Sequence, residues 1–369
     1  MEQPLDRPMM ARALQLAQLG RFWARPNPHV GCVLVREGHV IGEGFTQPAG
    51  GNHAEVEALR AAGDARGATA YVTLEPCNHH GKTGPCTEAL VAAGVKRVVA
   101  ATCDPNPLVA GSGLARLDAA GVEVQSGLLE AEARELMAGF IARMERGRGR
   151  LRLKLAMSLD GRTAMASGES QWITGAAARR DVQRLRAASC AIVTGIGTVL
   201  ADDCSLTVRS DELGLDAEQQ ARAEAVPPLR VVLDSGLRTP ADAAVLAAGN
   251  TLLLHGADVE SDKPLDAELL ALPSAEEGRS LDLKAVVAEL AQRQCNEILV
   301  ESGPRLAGAL LREGLVDEML IYVAPVILGE KARPLLGLSL DKMAEKVNLD
   351  WKDSRKVGND WRFRVIPRG

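Results

Sequence analysis

The sequence predicts an α/β fold divided into two domains. Three observations carry that expectation: helical and strand-like apolar periods alternate along most of the chain, its 369 residues exceed one ordinary core, and a basic, glycine-rich run interrupts the pattern. The run is RMERGRGR, residues 143 to 150, which has nothing to bury. It divides the chain into residues 1–147 and 148–369.

In the first part, MMARALQLAQLG carries helical spacing, VGCVLV and HVIGEGF read as strands, and AEVEALRAAG is helical again. TAYVTLEP then reads as a strand, CTEALVAAGV as a helix and VKRVVAATCD as another strand. GSGLARLDAAG, VEVQSG and EAEARELMAGFIARM continue the alternation up to the boundary. Beyond it, LRLKLAMSLDG, CAIVTGIG, LRVVLDS, NTLLLHG, EILVESG and EMLIYVAPVILG carry strand signals, with ARRDVQRLRAA and LKAVVAELAQRQ as helices between them. Residues 211–226, rich in Glu, Ala and Gln, read as a surface helical excursion, and no internal repeat relates the halves.

Composition narrows the function. With 46% hydrophobic and 25% charged residues the chain can bury sizeable cores, which excludes general disorder. A net charge of -5 gives no electrostatic reason for tight duplex nucleic-acid binding, and 3% aromatics speak against stacking along a single strand. A small-molecule substrate is therefore expected. The start, MEQPLDRPMMARALQLAQ, lacks the basic head and apolar run of a signal peptide, and no run of 18 apolar residues occurs, so a cytoplasmic protein without a membrane partner is expected. Seven dispersed cysteines point to metal binding or burial rather than a disulfide framework. Cys32, Cys103, Cys190, Cys204 and Cys295 mostly flank apolar runs and are expected to be inert small residues.

Cys77 and Cys86 differ from these, since they sit in the polar stretch EPCNHHGKTGPC. A catalytic zinc takes three protein ligands and keeps one position open, and His53, Cys77 and Cys86 supply three. Glu55 lies two residues after His53 at the start of a predicted helix, close enough to shuttle protons without ligating the metal. Cys86 opens the next helix, where the positive end of the dipole favours a thiolate. His-x-Glu followed by Pro-Cys is the zinc deaminase signature, although here eight residues separate the cysteines instead of two. The same ligands could form a closed structural site with His79 or His80 as a fourth, but Glu55 would then have no purpose. Asn27, His29, Asp104 and Asn106 lie on loops at strand ends, where α/β pockets form, and turn chemistry accounts for them equally well.

In PNPHVGCV, HAEVEAL, TLEPCNHHGKTGPC and DPNP, residues 8 to about 145 resemble the deaminase part of the bifunctional riboflavin-biosynthesis deaminase-reductase family. The resemblance implies a cytidine-deaminase-like zinc domain whose substrate is a phosphorylated diaminopyrimidine.

Two glycine turns follow strands in the second part, in AIVTGIGTVLADD and ILVESGPRLAGALL, and such turns present N–H groups and a helix N-terminus to phosphate. Neither is a Rossmann fingerprint, and tight packing would explain either. LKLAMSLDGRTAMASGESQWIT, RRDVQRLRA, TVLADDCSLTVR, LDS and ESGPRLAGALL are similar to the reductase half of the same family, through about residue 340. That half implies a dihydrofolate-reductase-like fold. It implies NADPH contacts at Ala156, Trp172, Thr198, Asp202, Ser235 and the turn Gly303, Pro304, Arg305, Leu306, Ala307, Gly308 and Ala309. Substrate contacts are implied at Ser170, Arg186, Leu206, Arg209 and Glu301. Trp172 offers a flat face to a cofactor ring, and Arg186 and Arg209 offer forked donors to a phosphate unless surface ion pairing uses them. Lys154 and Asp202 are the titratable groups expected nearest the transferred hydride. Cys204 and Ser302 stand where the family usually has proline and glycine.

The expectation is a zinc-dependent pyrimidine deaminase over residues 1–147, with Glu55 catalytic, and an NADPH-dependent reductase over 148–369. From the resemblance the chain forms a homo-oligomer, a dimer. The rival readings are a deaminase acting on a nucleoside or a nucleic-acid base, with a non-catalytic second domain.

Overall fold

The structure is a computed structural model, and it describes residues 2–79, 84–107, 109–259, 264–275 and 280–368. The chain divides into two compact units, Met1–Gly147 and Arg148–Gly369.

The first unit runs α1 (Asp6–Ala17), β1 (Gly31–Arg36), β2 (His39–Phe45), α2 (Ala54–Ala62), β3 (Thr69–Val72), α3 (Cys86–Ala92), β4 (Arg97–Ala100), α4 (Ser112–Ala119), β5 (Glu123–Ser126), α5 (Glu130–Leu136) and α6 (Ala138–Arg146). Its five-stranded sheet has the order β2-β1-β3-β4-β5. The β1 strand pairs antiparallel with β2 and β3, while β3, β4 and β5 run parallel. Val33, Leu34, Val72, Val98 and Val99 are fully buried between covering helices, which is why these strands read as continuous apolar runs. On β2 the two glycines, Gly42 and Gly44, let α2 press onto the strand backbone to backbone. A Cβ at Gly44 would lie 2.3 Å from the carbonyl oxygen of Ala54, and one at Gly42 would lie 2.3 Å from that of Ala58. EAEARELMAGFIARM folds as two helices, because Met137 leaves helical dihedrals at φ -106° and ψ 22°.

The second unit continues with β6 (Arg150–Ser158), β7 (Arg162–Ala164), α7 (Ala176–Ala187), β8 (Ala191–Gly195), α8 (Ile196–Asp202), α9 (Ala217–Glu224), β9 (Leu229–Leu233), β10 (Thr251–Gly256), β11 (Glu268–Leu272), α10 (Leu283–Gln292), β12 (Glu297–Glu301), α11 (Pro304–Arg312), β13 (Glu318–Ala324), β14 (Arg333–Pro334), β15 (Leu349–Val357) and β16 (Asp360–Pro367). A nine-stranded sheet has the order β11-β10-β9-β8-β12-β6-β13-β16-β15. It is parallel from β11 to β13 and antiparallel across β13, β16 and β15. The parallel part buries Leu153, Ile192, Val231, Leu253 and Ile298 completely. Pro304 occupies the first turn of α11, where its fixed φ suits a helix start and its missing N–H costs nothing. The excursion at 211–226 contains α9, capped by the Asp216 side chain, which accepts from the backbone N–H of Gln219 at 2.8 Å.

Among the described residues no helix is long and apolar enough to cross a membrane. None of the cysteines forms a disulfide, and Cys103, which lies past the end of the buried strand β4 at Ala100, is exposed.

Candidate functional site

The first unit brings His53, Cys77 and Cys86 together. The ligand atoms of all three lie within 4.8 Å of one another. His53 Nδ1 is 3.5 Å from Cys77 Sγ and 3.3 Å from Cys86 Sγ. Tetrahedral zinc with ordinary Zn–N and Zn–S bonds places nitrogen and sulfur about 3.5 Å apart, so the three atoms fit that ion. Local structure sets each of them. His53 is the extended N-cap of α2, Cys77 follows the end of β3, and Cys86 is the first residue of α3, whose backbone N–H donates to Cys77 Sγ at 3.4 Å. Among the described residues this trio is the only such cluster. His79 is exposed and outside it, and His80 lies outside the described residues.

The Cys77 thiol is held down to about 4 by a hydrogen bond from Cys86, with His53 adding to the effect. Cys86 is pushed up by that same bond and by burial. Glu55, in the first turn of α2, is 3% exposed, and burial pushes its carboxyl up to about 7. A carboxyl with that affinity for a proton suits a group that takes and returns one near neutral pH.

Around this cluster, Thr87 Oγ1 donates to Asn78 Oδ1 at 2.9 Å, and His29 Nε2 lies 2.7 Å from the carbonyl of Leu136. Asp104 is buried, and its Oδ1 accepts from the Asn106 N–H at 2.8 Å, which is the turn chemistry weighed from sequence. Burial pushes Asp104 up to about 6.

In the second unit, a cavity of about 1630 Å³ opens at the carboxyl ends of the parallel strands, where open α/β sheets bind ligands. Of the expected cofactor residues, Ala156, Trp172, Thr198, Asp202, Ser235, Gly303, Pro304, Arg305, Leu306 and Ala309 line it. So do Ser170, Arg186, Leu206, Arg209 and Glu301, expected for substrate. Ala307 and Gly308 do not line it. The helix begins at Pro304, so its 3.6-residue period turns these two into the unit's core, where both are buried.

Charge pairing changes what the arginines offer. Glu301 receives Arg186 through two bonds of 2.6 and 3.1 Å, and Arg186 also donates to the Thr207 carbonyl at 3.0 Å. The Arg186 fork is thus paired with Glu301 at the wall of the cavity. Arg209 donates to Glu212 at 2.7 Å, with its side chain 53% exposed. Burial opposes the charge of Glu301, but Arg186 and Lys154 outweigh it and hold the carboxyl below its ordinary range. Burial in turn lowers Lys154, whose Nζ stands 3.9 Å from Glu301. Ser170 Oγ donates to Asp202 Oδ1 at 3.0 Å. The 67% exposed Trp172 carries the Arg179 guanidinium 4.6 Å above its ring, a contact sequence reasoning missed. The only hint was the basic pair Arg179 and Arg180 within α7.

A chain of this build is a zinc-type deaminase followed by a reductase with a nucleotide-sized cavity. Residues 4–102 match the cytidine and deoxycytidylate deaminase zinc-binding region, and residues 150–363 match the RibD C-terminal domain. Riboflavin biosynthesis protein RibD of Escherichia coli is 53% identical over 96% of this chain and 97% of its own. The Haemophilus influenzae protein of that name is 45% identical over 98% and 97%. The structure of Acinetobacter baumannii RibD superposes with a TM-score of 0.90 at 45% identity, covering all of both chains. A diaminohydroxyphosphoribosylaminopyrimidine deaminase/5-amino-6-(5-phosphoribosylamino)uracil reductase of Thermotoga maritima superposes at 0.86 with 31% identity, covering 99% of each. The chain belongs to the RibD family of riboflavin-biosynthesis enzymes, bifunctional deaminase-reductases that use zinc and NADPH.

Proposed function

We infer that the first unit hydrolytically deaminates 2,5-diamino-6-(5-phosphoribosylamino)pyrimidin-4-one and that the second uses NADPH to reduce the ribosyl group of the resulting 5-amino-6-(5-phosphoribosylamino)uracil to ribityl. The observation that carries this reading is the buried Glu55 beside the His53, Cys77 and Cys86 trio. Zinc, when bound by that trio, supplies a Lewis acid that makes water nucleophilic near neutral pH. Glu55 holds the proton at its carboxylate and delivers it to the departing amine, and its raised proton affinity supports both halves of that transfer.

In the second unit, Trp172 and the turns at Gly195 and Gly303 would hold the cofactor, and the uncapped start of α11 would offer N–H groups to a phosphate. Arg209 exchanges Glu212 for the substrate phosphate, while Arg186 holds Glu301 ionised at the pocket wall. The reading extends to a cytoplasmic homodimer acting on a small molecule, with neither nucleic acid nor membrane as partner. The net charge of -5 favours the small molecule.

Supplying the diaminopyrimidine phosphate with and without NADPH tests the reading. Ammonia should appear in both reactions, and NADPH should be oxidised only after ammonia release. Ammonia with NADPH left untouched would establish the single-activity rival instead.

A further inference from the structure

We propose that Glu75 is a positioning residue of the deaminase, tying the loop of Asp104 and Asn106 to the strand end that leads into the metal ligand Cys77. Glu75 is 2% exposed, and its carboxylate accepts four backbone N–H groups from a single segment. Oε2 takes Asp104 and Gly111, each at 3.0 Å, and Oε1 takes Gly113 at 2.8 Å and Leu114 at 3.2 Å. Its own N–H donates to the Thr102 carbonyl at 2.9 Å, so the residue is fixed at both ends.

The last two donors belong to the first turn of α4, whose N-cap Gly111 has no side chain to cap it. Glu75 does that work from another element, with a full charge facing the positive end of the helix. Bonds from backbone N–H groups to an ionised carboxylate are short and strong, and four converging on one group leave the segment little freedom.

What the clamp fixes lies beside the chemistry. Cys77 comes two residues after Glu75, and the buried Asp104 is held by its N–H on the Glu75 carboxylate at 3.0 Å. The separation between the ligand set and the loop of Asp104 and Asn106 is therefore set through Glu75. This inference rests on the reading that the first unit deaminates and that this loop meets the substrate.

Glu75→Gln in the full-length zinc-loaded chain tests it. The amide keeps one accepting oxygen but turns the other position into a donor facing N–H groups. KM for the diaminopyrimidine phosphate should rise roughly ten- to a hundredfold, the scale of a misplaced contact, with a smaller change in kcat. Zinc should stay at one per chain, and reduction of the already deaminated uracil should be unchanged. Glu75→Asp, which keeps the charge on a shorter arm, should recover part of the loss. Wild-type KM in the Gln variant would overturn the proposal, as would zinc lost together with activity, since Glu75 would then act through the ligands. Should the Gln chain fail to fold, the Asp variant decides: raised KM with zinc retained supports the clamp, and unchanged KM removes it. A wild-type chain that releases no ammonia would instead sink the deaminase reading, and this inference with it.

Discussion

In the first unit the expected chemistry converges on three ligand atoms within 4.8 Å and one buried carboxylate, whereas in the second a cavity of about 1630 Å³ takes its wall from the ends of several strands, four helices and the loops between them. The compact site is set by backbone: an N-cap, a strand end and the first residue of a helix. The open one is set by pairs of charged side chains, Arg186 with Glu301 and Arg209 with Glu212, that already satisfy one another. A reaction concentrated on one atom of a ring needs few groups held tightly. Binding a dinucleotide and a phosphorylated substrate together needs many contacts of modest strength. Substitutions should accordingly act nearly all or none in the first unit and by degrees in the second.

Cys86→Ser breaks the comparison most severely. Losing a thiolate from a three-ligand set should remove the zinc and with it measurable ammonia release, while NADPH oxidation on pre-deaminated substrate persists. Elemental analysis beside the two separate assays reads this directly. Glu55→Gln comes next: zinc remains, and deamination falls on the order of 10²- to 10⁴-fold, the scale of general acid-base catalysis. Near-normal turnover in that variant would assign the proton to another group.

In the second unit Arg186→Ala should cost about 3 kcal/mol of stability, the low end for breaking a largely buried ion pair, since Lys154 remains near Glu301. The sign of its pH dependence follows from Glu301, whose carboxyl is held below its ordinary value. Such a group contributes its full stability above its unfolded pKa of about 4.3 and loses it as pH falls through the lower folded value. Denaturation curves of wild type and variant should therefore differ most near neutral pH and converge in acid. The smallest effect is expected at Arg209→Ala, about 1.4 kcal/mol or roughly tenfold in substrate affinity, because the side chain must leave Glu212 and is half exposed. NADPH affinity should hold; if it falls instead, Arg209 serves the nucleotide.

Much of the first site could be read directly because residue type states ligand chemistry: His-x-Glu and two proline-preceded cysteines mean little except a metal with a proton carrier. Glu75 escaped notice for the opposite reason. A glutamate ending an apolar strand looks like a solvent-facing residue until the N–H groups that fold over it are seen. In the second unit, strands buried on both faces announced themselves as apolar runs. The β15–β16 hairpin did not: Trp361, Phe363 and Val365 alternate with arginines along β16, but β15 is mostly charged, and Trp351 is 68% exposed and Trp361 48%. Ala307 and Gly308 were placed with the cofactor turn by a motif quoted as one block, and helical periodicity divides that block between cavity and core. The pairing of Arg186 with Glu301 joins residues far apart in the chain, and no local pattern encodes it.

The glycines under α2 carry a consequence for how this enzyme can change. Any amino-acid replacement of a glycine adds a side chain, and at Gly42 and Gly44 even a methyl group would meet a carbonyl oxygen at 2.3 Å. The helix that begins with His53 and Glu55 would have to lift off its strand to make room, moving a metal ligand and the proton carrier together. Two glycines that carry no reacting group therefore help hold the metal ligand and the proton carrier in place.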